Sequence, residues 1–366
     1  MSAVASGPLA GLKVLEFAAI GPVPFCGMLL SDMGADVLRI DRPGAHYDRY
    51  MVETRGRRSL VLDLKQSRDV ETALRLASRA QVLIEGLRPG VMERLGVGPD
   101  QALARNPKLV YGRMTGWGQH GPYSRLPGHD INFIAISGVL HAIGTPEQPV
   151  PPVNLVGDFG GGALYLAMGV LAALRHVEHG GAGQVIDCAM SDGAASLMSM
   201  LYGHLARGTW KDARAANIID GAAPFYGVYR CADGQWLAVG AMEPQFLRVL
   251  TQAAGLADDW IDTQHDEAQW PARREQLARV FATRPRAQWL ELLDGTESCV
   301  VPVNSMSDAP HHAHNAARGT FTPVDGVLQP APVPRFSATP SRVSHGPVAA
   351  NEGGEAALAD WGVERV

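Results

Sequence analysis

The chain has 366 residues, 46% of them apolar, and its 32 lysines and arginines against 37 aspartates and glutamates leave a formal charge of -5. That apolar content supplies a packed core and excludes a disordered chain, and at about 150 residues per domain the length predicts two domains or one elaborated one. A mildly acidic balance argues against generic binding to nucleic acid or to anionic membranes, both of which call for a basic surface. Cys26, Cys188, Cys231 and Cys299 are widely separated with no Cys-x-x-Cys pair, so neither a disulfide framework nor a zinc ribbon is indicated, and reduced thiols in a cytoplasmic protein are expected. The first residues lack a signal-peptide pattern. The longest apolar stretch, residues 160–174, is shorter than the roughly 20 residues a bilayer requires and reads as a buried helix.

In chain order, residues 11–17 read as a strand, 21–24 as a Gly/Pro turn, 25–33 as a helix and 35–41 as a second strand. Strand, helix and strand within about 30 residues make a βαβ unit, hence a parallel sheet with a right-handed crossover. The pattern recurs: strands at 59–64, 81–85 and 108–114, helices at 67–80 and 90–95. Residues 153–158 read as a strand-to-helix junction with a glycine-rich turn, before a long apolar helix to about His179. A strand at 184–189 and a helix at 192–206 follow. Residues 226–231 and 235–241, joined by Asp233-Gly234, form a hairpin, with helices at 244–254, 270–282 and 286–293 after it. Residues 302–347 read as an extended connection and 352–361 as a last short helix. The expected fold class is α/β: an open parallel-sheet, Rossmann-like large domain over residues 1–200, completed by about 320–366. A linker at 201–224 and a smaller α+β domain at 225–319 complete the expected division.

Several familiar spellings carry little. Gly116-x-Gly118-x-x-Gly121 runs straight into Pro122 with no helix opening, so it reads as a turn. The first βαβ turn lacks a glycine fingerprint, and its prolines remove backbone donors that a pyrophosphate wants, which disfavours a nicotinamide dehydrogenase even though Asp41 ends the next strand. Asp158-Phe159-Gly160 has none of the other kinase motifs beside it. His311, His312 and His314 lack a nearby carboxylate or thiol and read as a solvated loop rather than a metal site. His176 and His179 close the apolar helix, where cations suit its dipole.

Two clusters carry chemistry. Residues 39–65 hold Arg39, Arg42, Arg49, Arg55, Arg57, Arg58 and Lys65 against four acids, a local +3 in an acidic chain. This is either a solvated charged loop or a cradle for a phosphate-rich ligand, to which Arg88 and Arg94 add. The second is Gly128-His129-Asp130-Ile131-Asn132-Phe133 with Gly157-Asp158-Phe159 and the glycines 160–162. Asp158 there either caps a helix or works beside backbone N–H groups that stabilise a developing anion.

These stretches, with PLAGLKVLE (8–16), GADVLRID (34–41), LDLK (62–65), LRPGVMERLG (87–96), MTGWGQHGP (114–122) and MEPQF (242–246), resemble the class III (formyl-CoA transferase-type) CoA-transferase family in order along nearly the whole chain. The resemblance implies an interlocked homodimer, with the site between the large domain of one chain and the small domain of the other. It implies that Arg42, Leu62, Asp63, Leu64, Lys65, Gly86, Leu87, Arg88, Arg94, Gly128, Asp130, Ile131, Asn132 and Phe133 surround coenzyme A, which is the carrier part of the substrate. Phe133 stands where the family often has tyrosine. Transferases of the family use the aspartate that matches Asp158 as a nucleophile, whereas its racemases pair it with a histidine, matched here by His129. An imidazole can give and take a proton near neutral pH. The implied activity is therefore racemisation of 2-methyl-branched acyl-CoA by 1,1-proton transfer, with His129 and Asp158 as the acid–base pair, Glu243 orienting the histidine, and the backbone N–H of Asp158 donating to the thioester oxygen. No metal or redox cofactor is implied. Met190, Met198 and Met200 are candidates for an adaptable surface toward the acyl chain. The alternatives are a CoA-transferase with Asp158 as nucleophile and a non-catalytic acyl-CoA-binding relative.

Overall fold

Runs of leucine and valine with period two place one side chain above and the next below a sheet. In the computed structural model, which describes residues 6–366, β1 (Lys13–Phe17), β2 (Asp36–Asp41), β3 (Arg57–Val61), β4 (Val82–Glu85), β5 (Val110–Thr115) and β6 (Gln184–Ala189) form one sheet in the order β3-β2-β1-β4-β5-β6. Every neighbouring pair is parallel. Leu15, Leu38, Leu60, Leu83 and Tyr111 fill one face and Val14, Val37, Val82 and Val110 the other. A sheet covered on both faces is what a parallel sheet requires. Between β1 and β4 the strand order reverses, and open α/β sheets bind ligands outside the carboxyl ends at such a point.

The connections supply the cover. They are α1 (Pro22–Asp32), α2 (Ser67–Arg79), α3 (Val91–Arg94), α4 (Pro99–Arg105), α5 (Asp130–Ile136), α6 (Val139–Ala142), α7 (Leu164–Glu178) and α8 (Met190–Leu197). By internal contact the chain divides into two units: residues as far as Gly138 with Pro152–Met198 and Ala317–Val366, and Val139–Pro151 with Ser199–Ala316. The second holds α9 (Ser199–Arg207), then β7 (Tyr226–Arg230) and β8 (Trp236–Gly240), α10 (Pro244–Ala254), α11 (Asp259–Asp262), α12 (Trp270–Phe281), α13 (Arg286–Leu293) and β9 (Val300–Pro302). Its antiparallel sheet β7-β8-β9 packs a core of Phe225, Tyr229, Leu237, Trp260, Trp270, Phe281 and Trp289. Residues 139–151 and 201–224 both group with this unit.

The structure departs from the sequence expectations at identifiable places. α1 starts at Pro22 and takes in the expected turn, because proline in a first turn sacrifices only an N–H that has no helical acceptor. Residues 153–158 hold no strand: a π-helical segment, Leu155–Ala163, opens there and runs on into α7. The resulting run, Leu155–Glu178, has 24 residues and is long and apolar enough, by length and composition, to cross a bilayer. Its Leu166, Val170 and Ala173 are buried against the sheet, while Leu164, Met168 and Leu171 are exposed, so it is not the fully buried helix expected. The helix expected at 192–206 breaks at Met198 into α8 and α9. Within 302–347, expected as a bare connection, lie α14 (Ala313–Arg318) and an antiparallel pair, β10 (Phe321–Val324) and β11 (Val327–Pro330). Asp325 and Gly326 turn that hairpin with φ of 47° and 78°, as a two-residue loop between right-twisted strands requires. The last helix, α15 (Gly354–Trp361), packs on β3, and the Trp361 indole donates to Asp36.

Candidate active site

The carboxyl ends of β1, β4 and β5 lead into three turns whose residues, with the start of α5 and the π-helical segment, enclose a cleft of about 740 Å³. Gly86, Leu87 and Arg88 come from the β4 turn, and Gly116 and Trp117 from the β5 turn. Gly128 and His129 line it just before α5, Asn132 and Phe133 from α5, Asn154 just before the π-helical segment, Asp158 from within it, and Met190 from α8. A second cleft, about 590 Å³, shares Ile20, Gly86 and Leu87 with the first and runs over the ends of β1 and β2. Arg42, Leu62, Asp63, Leu64 and Lys65 line it, together with His46, Tyr47 and Met51, which sequence reasoning missed. Their signal was weak, a loop with no periodicity. Arg94, Asp130 and Ile131 line neither cleft. Arg94 and Ile131 are exposed, and the Asp130 carboxylate is buried behind the wall.

The basic cluster divides between buried ion pairs and two side chains at a cleft. Arg39, Arg55 and Arg57 are buried and paired with Asp41, Asp32 and Glu16 respectively, and Arg58 bridges Asp36 and Asp360. Those guanidiniums hold the β1–β3 edge together because a buried charge must find a partner. Arg42 and Lys65 are the members of the cluster that line the second of these clefts among the described residues. Asp41 is equally committed, accepting from Arg39, Tyr47 and Ser59, so it offers nothing to a ribose.

His129 caps α5 in an extended conformation, and its backbone N–H donates to the Asn132 carboxamide at 3.0 Å. Asp158 sits inside the π-helical segment, a rare geometry that recurs at functional sites. Glycines make this possible. A Cβ on Gly193 would lie 1.8 Å from the Gly161 carbonyl oxygen, and one on Gly157 2.6 Å from Asp130 Oδ2. Asn154 donates to Asp158 Oδ2 at 3.2 Å. Burial pushes the Asp158 carboxyl above the usual carboxylate range; the Asn154 hydrogen bond opposes this, the Asp130 charge adds to it and the His129 charge opposes it. Phe133 is a wall of the cleft, stacked edge-on against Trp117 with ring centroids 4.7 Å apart and occupying the space a Gly116 side chain would need.

One expectation is corrected here. The Asp158 N–H is already donating to Asp130 Oδ2 at 2.7 Å, so it does not face a ligand. Glu243 is exposed in the second unit, as the N-cap of α10. No group of three or more His, Cys, Asp or Glu side chains able to hold a metal occurs among the described residues. The Gly116–Gly121 stretch is a turn, with φ of 85° at Gly118 and 96° at Gly121.

A parallel sheet covered on both faces, with His129 and Asp158 lining one cleft outside its carboxyl ends, defines an α/β protein with a ligand-sized site at its switch point. Residues 9–352 match the model of CoA-transferase family III, and the chain belongs to that family. It is similar to the alpha-methylacyl-CoA racemases of Mus musculus and Homo sapiens, 46% and 45% identical over 335 residues that span 91% of this chain and 87% of each relative. Its fold is similar to that of a CAIB/BAIF family protein from Brucella suis, with a TM-score of 0.81 and 26% identity over 97% of this chain and 100% of that one.

Proposed function

We propose that the protein is an isomerase that interconverts (R)- and (S)-2-methylacyl-CoA thioesters by 1,1-proton transfer. The observation that carries this is that His129 and Asp158 line the same cleft. One removes the α-proton and the other returns a proton to the opposite face. Neutral imidazole with protonated Asp158 serves one direction, and imidazolium with carboxylate the other. A carboxyl raised by burial suits that alternation, since both protonation states are then accessible closer to neutral pH. Removing a proton from carbon needs the charge to spread onto the thioester oxygen. The Asp158 N–H, already donating to Asp130, is not the donor proposed for it. The second cleft, with Arg42 and Lys65 at its edge, is proposed to take the nucleotide end of coenzyme A, and Gly86, Leu87 and Arg88 the arm that joins the clefts. For Glu243, the resemblance supports a part in orienting the imidazole. The reaction as drawn moves only protons and calls for no metal or redox group.

A homodimer is proposed on the exposed apolar row of α7, and a cytoplasmic setting on four unpaired cysteines. The test is a single enantiomer of 2-methylacyl-CoA incubated in D₂O. The expected result is both hands of product, each carrying deuterium at the α-carbon. Acyl transfer to an added carboxylate, with hydroxylamine inactivating the enzyme during turnover, would instead identify a transferase that uses Asp158 as nucleophile.

A further inference from the structure

We propose that Asp130 is a positioning residue for Asp158: a buried carboxylate that pins the Asp158 backbone to the start of α5 and sets a second negative charge behind the reacting carboxyl. This rests on the reading of His129 and Asp158 as the acid–base pair. Asp130 follows His129 directly, so one short stretch of chain supplies both the imidazole and the anchor for its counterpart. Its side chain is 5% exposed and faces neither cleft. Oδ2 accepts the Asp158 N–H at 2.7 Å across 28 residues of sequence. Gly157 makes the approach possible, because a Cβ there would lie 2.6 Å from Oδ2 and 2.9 Å from the carboxyl carbon.

The other oxygen, Oδ1, is buried without a hydrogen-bond partner among the described residues. An anchor alone would be served as well by asparagine, which carries no charge into the wall. A carboxylate with one bare oxygen is the costlier choice, and what it adds is charge. That charge raises the Asp158 carboxyl. Every element packed against the π-helical segment carries or adjoins ionisable groups. His129 and Asp130 lie on α5, Asp192 on α8, and Asp187 and Cys188 on β6. Tyr111 and Arg113 lie on β5, Cys26 and Asp32 on α1, and Tyr165, Arg175, His176 and Glu178 on α7. Arg113 is held by Glu85 and Glu93, Asp32 by Arg55, and Asp187 accepts from the Gln119 N–H. Of these charges, Asp130 raises and His129 lowers the Asp158 carboxyl.

The test follows the Asp158 carboxyl by carbon-13 NMR in the unliganded full chain, assigned with D158N, in wild type and in D130N. Asparagine keeps an oxygen to accept the Asp158 N–H and removes the charge. The expected result is a titration midpoint for Asp158 that is measurably lower in D130N than in wild type. The limb of the kcat/KM profile that Asp158 sets should move with it, while KM stays within about twofold. D130A, which loses the acceptor too, is expected to lose a further factor of about ten in kcat. An Asp158 midpoint unchanged in D130N overturns the proposal, and that measurement decides the matter even if D130A does not fold. A wild type that titrates as expected yet puts no deuterium on the α-carbon defeats the racemase reading, and the midpoint difference still measures Asp130 acting on Asp158.

Discussion

His129 and Asp158 reach one cleft from different kinds of backbone, and each carries its own prediction. In the proposed mechanism alanine at 129 or asparagine at 158 removes one of two proton carriers, so each substitution should lower racemisation about 10²–10⁴-fold. Coenzyme A binding should persist, as measured by calorimetry beside chiral analysis of product. Asp158 also costs the fold something. Burial raises its carboxyl in the folded protein, so its contribution to stability is full below the unfolded-state pKa and is lost as pH rises through the folded one. D158N should therefore melt about 1–3 °C above wild type at pH 7, with the difference vanishing near pH 3 in differential scanning calorimetry. Equal melting points at pH 7 would refute this. At this scale the histidine was legible because Gly-His-Asp is a local spelling. The basic cluster was not, because sequence displays charge but not burial: Arg57 finds Glu16 and Arg55 finds Asp32 only once β1, α1 and β3 are in place.

Among the elements, the π-helical segment governs the site, and its glycines are the part a substitution can test. Gly193 on α8 and Gly161 on the segment meet backbone to backbone, and a methyl at 193 would lie 1.8 Å from a carbonyl oxygen that cannot swing aside. G193A should destabilise by about 1–3 kcal/mol in urea unfolding and reduce turnover through displacement of the segment that holds Asp158. Gly203 on α9 has nothing within 4 Å of its added Cβ and no left-handed φ, so G203A should be neutral or stabilising by up to about 1 kcal/mol. Similar effects from the two alanines would show that close approach is not what the glycine at 193 is for. The parallel strands were readable from their apolar runs, and α10 and α13 from their helical periodicity. The π-helical segment was not, since three consecutive glycines signal a turn and reveal their packing role only against α8. The β10–β11 hairpin had a readable Asp-Gly signal in a stretch whose prolines masked it.

On the scale of the whole molecule, α7 presents a surplus of apolar surface. Leu166, Val170 and Ala173 already pack on the sheet, yet Leu164, Met168 and Leu171, at intervals of four and three residues, remain 50%, 59% and 37% exposed. That spacing puts the three side chains in one row along the helix. An apolar row on a helix long enough to cross a bilayer has two obvious covers, lipid or protein. Protein is the better fit, because the opposite side of the same helix is already committed to a sheet edge at β5 and β6 rather than free all round. A second copy of the chain supplies a matching row by symmetry. The chain at about 10 μM should therefore sediment as a dimer, and the paired substitution of Leu164 and Met168 by glutamate should shift it to monomer by burying charge where the rows meet. Retention of the dimer in that variant would place the interface elsewhere, and a wild-type monomer that floats with phospholipid vesicles would assign the row to lipid.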